Sequence, residues 1–158
     1  MPYEFFNGAD SAEISEEEKK KEEQRKKTFN GLCASEWAEL SRSVWNDVSS
    51  ARKKKHLNHG ATYPEKLCNR LIAMYSRQSD VVLDPFLGTG TTVIAAIKSR
   101  RDAIGIELTD RFYDMSVEAI KEAAAAEQMP LLPQENKLGS YRLFKGDCLN
   151  VLKDIPEN

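Results

Sequence analysis

Val81-Val82-Leu83-Asp84-Pro85-Phe86-Leu87-Gly88-Thr89-Gly90-Thr91-Thr92 is the stretch on which the fold turns. Its leading apolar residues do not alternate with polar ones, the pattern of a strand covered on both faces, so Val81–Asp84 is expected to be a central strand. Asp84 closes that strand, Gly88-Thr89-Gly90-Thr91-Thr92 makes a turn, and Val93 to Lys98 suits a helix rich in alanine and isoleucine. A glycine pair between a strand and a helix lets the backbone approach a ligand that any Cβ would push away.

The pattern continues on both sides. Downstream, Ala103 to Glu107 predicts a second short strand, and Thr109 or Asp110 caps a helix running through Phe112, Met115, Ala119, Ile120 and Ala123 to about Gln128. Pro130 to Ser140 reads as loop, Tyr141 to Lys145 as a third strand and Cys148 to Lys153 as a short helix. Upstream, Pro64 is placed in the first turn of an amphipathic helix that ends near Arg77. Leu67, Leu71 and Tyr75 form its stripe, joined by Cys68 and Ile72. Strand, helix, strand, helix, strand at this spacing means a right-handed parallel α/β unit, with ligands at the carboxyl ends of the strands. The core is expected to begin earlier, where Trp37, Leu40, Val44 and Trp45 supply the first apolar side chains near helical spacing.

Residues 1–27 differ in kind. Between 11 and 27 the pairs Glu16/Lys20, Glu17/Lys21, Glu22/Lys26 and Glu23/Lys27 stand four apart with almost no apolar stripe, which predicts a solvated, fraying helix or a charged arm. The chain carries 23 basic and 25 acidic residues, so no global positive field draws it to nucleic acid and any such contact is local or supplied elsewhere. Arg52-Lys53-Lys54-Lys55 can meet phosphates as point charges, although so short a run is ordinarily a solvated surface. Cys33, Cys68 and Cys148 form no CxxC pair and are read as reduced cytoplasmic thiols. No apolar run nears the ~20 residues needed to span a bilayer, no signal-peptide pattern opens the chain, and a soluble, cytoplasmic protein is expected. His56 and His59 have no thiol or carboxylate cluster beside them and are read as loop polar groups, so no metal is expected.

Three strand ends offer carboxylates to one cleft: Asp84, Glu107 and Asp147. Glu107, 17 residues past Gly90, can accept hydrogen bonds from both hydroxyls of a ribose. Asp84 lies where a dinucleotide would place its pyrophosphate, and two anions there repel. A P-loop is disfavoured too, since no lysine follows the last glycine of the turn. S-Adenosylmethionine has no phosphate and carries a sulfonium and an ammonium group, so an acid at this position assists its binding. Asp147 can accept from the exocyclic amine of adenine. Each acid alone would pass for a surface carboxylate at a strand terminus; three in consecutive units favour a nucleoside site.

These residues resemble a known family. Asp84-Pro85-Phe86-Leu87-Gly88-Thr89-Gly90-Thr91-Thr92 resembles the cofactor motif of bacterial DNA methyltransferases that modify the exocyclic amine of cytosine or adenine, and Gly105-Ile106-Glu107-Leu108 resembles their ribose motif. His59 to Leu67 is similar to the segment that closes over the methionine end of the cofactor, with His-Gly replacing the common His-Pro; Trp45-Asn46-Asp47-Val48 resembles its lead-in. Gly146-Asp147-Cys148-Leu149 resembles the adenine-contacting motif. The resemblance covers about residues 28–158 and implies a partial Rossmann-like α/β methyltransferase fold with an incomplete sheet. It also implies S-adenosylmethionine as cofactor, DNA as partner and a restriction–modification setting. The implied cofactor residues are Thr62, Tyr63, Asp84, Pro85, Phe86, Gly88, Gly90, Thr91, Glu107, Leu108, Asp147 and Cys148.

In this family a further strand ends in Ser or Asp, Pro-Pro and an aromatic residue, which hold the flipped-out base. No such run occurs in these 158 residues, so no residue is assigned a catalytic role. The resemblance implies seven strands, four of them beyond the Val81 strand, whose open edge is a template for another chain. A truncated product or one part of a split enzyme, marginal alone, is therefore expected. Cofactor elements ahead of any catalytic strand resemble the permuted order common among cytosine-N4 enzymes, which favours cytosine-N4 over adenine-N6. The alternatives are a non-catalytic module that holds the cofactor or a partner subunit, and a methyltransferase of the same fold acting on RNA or a small molecule.

Overall fold

The computed structural model describes residues 15–48, 63–127 and 138–155. The elements follow in the order α1 (Glu16–Lys27), α2 (Ala34–Leu40), α3 (Glu65–Tyr75), β1 (Val81–Asp84), α4 (Thr91–Lys98), β2 (Asp102–Glu107), α5 (Asp110–Glu127), β3 (Tyr141–Lys145) and α6 (Cys148–Asp154). The strands form one parallel sheet in the order β1-β2-β3. The predicted strands stand within a residue of their expected bounds. The Arg52–Lys55 run, His56, His59 and Thr62 lie outside the described residues, as does most of the loop expected over 130–140.

Parallel strands need crossover helices, and these bury one face of the sheet. Val82, Ala103 and Leu143 pack with Cys68 and Ile72 of α3, with Val93, Ala96 and Ile97 of α4 and with Ile120 of α5. On the alternate positions Ile104 and Ile106 are buried as well, and α6 packs against β2. Arg101 is buried between the ends of two helices and donates to Ser76 O, Ser76 Oγ and Ser99 O at 2.8, 3.1 and 2.6 Å. Its guanidinium thereby satisfies carbonyls that helix ends leave open.

The structure corrects four expectations. β1 is an edge strand among the described residues, not a central one, and Val81 and Leu83 are 43% and 45% exposed. Its unbroken apolar run describes a strand suited to burial on both sides, but only β2 flanks it here. The stripe of α3 is rotated from the one predicted: Cys68, Ile72 and Met74 are buried, whereas Leu71 and Tyr75 are exposed. Those exposed side chains face a groove of about 600 Å³ along β1, lined by Leu67, Leu71, Tyr75, Val81 and Val82. Pro64 is the N-cap of α3 and not a residue of its first turn, and the helix stops at Tyr75. The core does not begin at Trp37, Leu40, Val44 and Trp45: α2 ends at Leu40 with no buried residue, Val44 is exposed, and the core cluster starts at Cys68.

α1 forms a helix over most of the charged segment, with Ser15 Oγ accepting from Glu18 N and no residue buried. It is tied to α2 by Arg25, whose Nη2 and Nε donate to Glu36 at 2.6 and 3.3 Å, while Glu36 Oε2 also accepts from Cys33 N at 2.7 Å. Asn30 then donates to Met74 O, and Trp37 meets the edge of Tyr75, which fixes this pair on the outside of α3. The Arg25 hydrogen bonds, aided by the Cys33 amide, hold the Glu36 carboxyl at about 2, against an ordinary 4.5. A depressed folded value means stabilisation that is complete above the unfolded value and vanishes as pH falls through the folded one. The stability difference between the native chain and Glu36→Gln is therefore expected to be constant above about pH 4.5 and to shrink towards pH 2. Urea titrations across that range measure it, and a pH-independent difference would contradict the pairing.

Candidate nucleoside site

The site is built on the carboxyl ends of β1 and β2, where two turns interlock. Leu87 is buried and its N–H donates to Ile106 O at 2.8 Å, fixing the first turn to the second strand. This approach is possible because position 105 has no side chain: a Cβ on Gly105 would lie 2.7 Å from Leu87 Cδ1 and 3.1 Å from Leu143 Cδ2. The next amide, Gly88 N, donates to Glu107 Oε2 at 2.8 Å, and Thr109 N donates to Oε1 of the same carboxylate at 2.9 Å. Glu107, only 9% exposed, is held by one charge-assisted hydrogen bond on each oxygen.

The turn itself uses backbone that side chains resist. Gly88 has φ of 55° and Gly90, the N-cap of α4, has φ of 86°. Gly90 also sits against α5, where an added Cβ would meet Ile120 Cδ1 at 3.1 Å and Ser116 Cβ at 3.3 Å. Nothing projects from these residues over the turn, and the amino end of α4 begins directly behind it.

The other expected acids share this rim. Asp84 ends β1 level with Gly105 of β2, and its Oδ1 accepts from Phe86 N at 3.0 Å. Asp147 follows β3 and caps α6, with Oδ1 accepting from Leu149 N at 2.9 Å. Pairing of Glu107 with Lys145 puts the acids on one side of the sheet, at the ends of three adjacent strands. Asp147 therefore has a local structural task that its motif did not disclose. Phe86 and Leu108 flank the turns and are 77% and 69% exposed, apolar surface of a kind that an aromatic ring can cover. Pro85, Thr91 and Cys148 are half-buried in the same segments, Cys148 with a free thiol.

Of the segment before α3, Thr62 lies outside the described residues. Tyr63 is exposed and lines the groove together with Cys68 and Thr92. Neither Cys68 nor Thr92, the last residue of the quoted cofactor motif, is among the expected cofactor residues, yet both line this groove. Their Sγ and Oγ1 lie 3.9 Å apart, and burial pushes the Cys68 thiol up, opposed by the Thr92 hydroxyl and reinforced by the charge of Asp84. The i, i+4 position of Cys68 behind Pro64 was its only signal. Among the described residues no three His, Cys, Asp or Glu side chains gather as metal ligands, and no helix is long and apolar enough to cross a membrane.

A parallel α/β sheet with crossover helices and a glycine turn after its first strand defines a Rossmann-like fold. The sequence model described as DNA methylase, of the N6/N4 methyltransferases, matches residues 5–118, and the chain belongs to that family. The Type II methyltransferase M.MthZI of Methanothermobacter thermautotrophicus is 44% identical over 95 residues, 54% of this chain and 26% of that protein. The DNA adenine methyltransferase YhdJ of Escherichia coli is 40% identical over 67 residues, 42% of this chain and 23% of that protein. TTHA0409 of Thermus thermophilus, a proposed DNA modification methylase solved with S-adenosyl-L-methionine, superposes with a TM-score of 0.52 at 33% identity. That match covers 78% of this chain and 42% of the other. The matched stretches thus span less than half the length of these relatives, and the shared architecture is the methyltransferase fold.

Gly90→Ala forces a side chain into left-handed backbone at a cost of about 1–2 kcal/mol, before any push against Ile120. Thermal unfolding of that variant is expected roughly 2–8 °C lower. An unchanged midpoint would mean that the turn is not held as described.

Proposed function

We propose that residues 28–158 form the S-adenosylmethionine-binding part of a DNA amino-methyltransferase, with residues 1–27 as a charged arm. The observation that carries this reading is the Glu107 carboxylate fixed against the Gly88 amide beneath a bare glycine turn. Two oxygens of one immobile carboxylate match the vicinal hydroxyls of a ribose, each keeping acceptor capacity beyond the amide it already takes. Asp84 beside the turn repels a phosphate and complements a sulfonium or ammonium group. These features fit S-adenosylmethionine better than a nucleotide.

Glu107 would hold the ribose, Asp84 the positively charged end, and Gly88, Gly90 and Thr91 the approach of the chain to the ligand. Phe86, Leu108 and Cys148 would flank the adenine, with Asp147 accepting from its amine, while Pro85 shapes the turn and Thr62 and Tyr63 border the methionine end. When bound, the cofactor supplies a methyl group activated by positive sulfur. The residues named orient it and shield one side of it from water; none is a base or a nucleophile for the transfer.

The partner is DNA, whose flipped base would need a Pro-Pro-aromatic segment that these 158 residues lack. The exposed Val81 and Leu83 on the free edge of β1 support pairing there with further strands, carried by more of the same protein or by a complementary chain. Motif order favours cytosine-N4 as the target. The likeness to an enzyme named as an adenine methyltransferase supports adenine-N6 as the second reading. A module that binds cofactor and catalyses nothing is the alternative for the chain by itself.

Calorimetric titration is expected to show S-adenosylmethionine binding that Glu107→Ala weakens by about 10- to 100-fold, the loss of hydrogen bonds to a charged group. Equal affinity in the variant removes the ribose assignment. On DNA, tritiated methyl transfer by these residues alone is expected to stay at background; clear turnover would show that the cofactor part suffices for chemistry.

A further inference from the structure

Glu107 makes two bonds that ligand recognition does not require. Its oxygens accept from Gly88 N at 2.8 Å and Thr109 N at 2.9 Å, bridging the turn after β1 to the turn after β2. Gly88 sits at φ 55° and Gly90 at φ 86°, backbone that glycine adopts freely among many others, so contacts from outside the turn select this one path. Two further tethers of this turn are backbone bonds, Leu87 N to Ile106 O at 2.8 Å and Gly90 N to Leu87 O at 3.0 Å. Glu107 adds a side-chain acceptor on the amide between them, and it does so as a nearly buried anion.

We infer that Glu107 is a positioning residue for the glycine turn as well as an acceptor for ribose, so that one carboxylate prearranges the ends of the site that hold the sugar and the charged group. The inference rests on the ribose reading only for its second role. Its first role makes a specific demand on chemistry. Glutamine has the same length but one acceptor oxygen, and its NH2 group turned towards either amide sets donor against donor. Aspartate retains the charge but is one methylene shorter and cannot span both amides. Neither substitution should restore the turn, although glutamine could still take one ribose hydroxyl. A ligand without those hydroxyls should therefore also sense the change, through the turn.

The test uses the full 158-residue chain and two probes, S-adenosylhomocysteine and its 2′,3′-dideoxy analogue, which has no hydroxyl for Glu107 to accept from. Amide exchange by NMR in the ligand-free chain is read at Gly88 and Thr109, with Ile104 and Ile97 reporting on the sheet and α4. Protection at Gly88 and Thr109 is expected in the native chain and is expected to fall at least ~10-fold in Glu107→Gln and Glu107→Asp, the loss of a bond to a charged group, while Ile104 and Ile97 stay protected. Glu107→Gln is also expected to weaken the dideoxy probe by about tenfold. If protection at the two amides is unchanged in both variants and the dideoxy probe binds native and Glu107→Gln chains alike, the positioning role is overturned, and the ribose role stands on the loss seen with S-adenosylhomocysteine alone. If instead the amides lose protection but neither probe binds the native chain, positioning is upheld and the cofactor reading fails.

Discussion

One carboxylate shared by two backbone amides holds this site together. Glu107 ends β2, yet it reaches across to Gly88 in the turn after β1 and forward to Thr109 at the start of α5. The two motifs are thus one object: Leu87 fills the space left by Gly105, its amide bonds Ile106 O, and the glutamate closes the next link. Charge-assisted bonds in a nearly buried setting are stronger than their solvated counterparts, which suits them to hold left-handed glycines in place. The acidic rim of Asp84, Glu107 and Asp147 then follows from parallel pairing, which brings every strand's carboxyl end to the same side.

Much of this was legible in the chain. The strands at 81–84, 103–107 and 141–145 and the glycine turn declared themselves through short apolar runs bounded by acids and glycines, a pattern that backbone chemistry fixes locally. What was not legible depends on partners in space. Apolar spacing in α3 allowed two stripes, and the buried one was chosen by α4, which presses on Cys68 and Ile72 and leaves Leu71 and Tyr75 outside. Trp37 and Val44 were read as core because they are large and apolar, but α2 is seven residues long with no buried residue, and Trp37 makes a T-shaped contact with Tyr75 while Glu36 pairs with Arg25. At the candidate site, motif reading pointed to Glu107 and Asp147 but not to the backbone amides they accept from, since a carboxylate's hydrogen bonds are set by loops whose path the sequence does not spell out.

β1 states the other constraint on the molecule. Val81-Val82-Leu83 is composed for burial, yet one long side of the strand is unpaired among the described residues, and a groove lined by Leu67, Leu71 and Tyr75 runs beside it. The stretch matched by the family model, residues 5–118, includes this strand and the glycine turn that follows it. Cofactor binding and base chemistry sit on opposite sides of this boundary in the proposed arrangement.

The most direct measurement is a crystal structure of the chain soaked with S-adenosylmethionine. The expected density places the ribose hydroxyls on the Glu107 oxygens and the sulfonium end over the glycine turn near Asp84, with the Gly88 and Thr109 amides still on the carboxylate. Density for the ligand away from this turn, or Glu107 and Asp84 facing solvent with the ligand bound, would contradict the account.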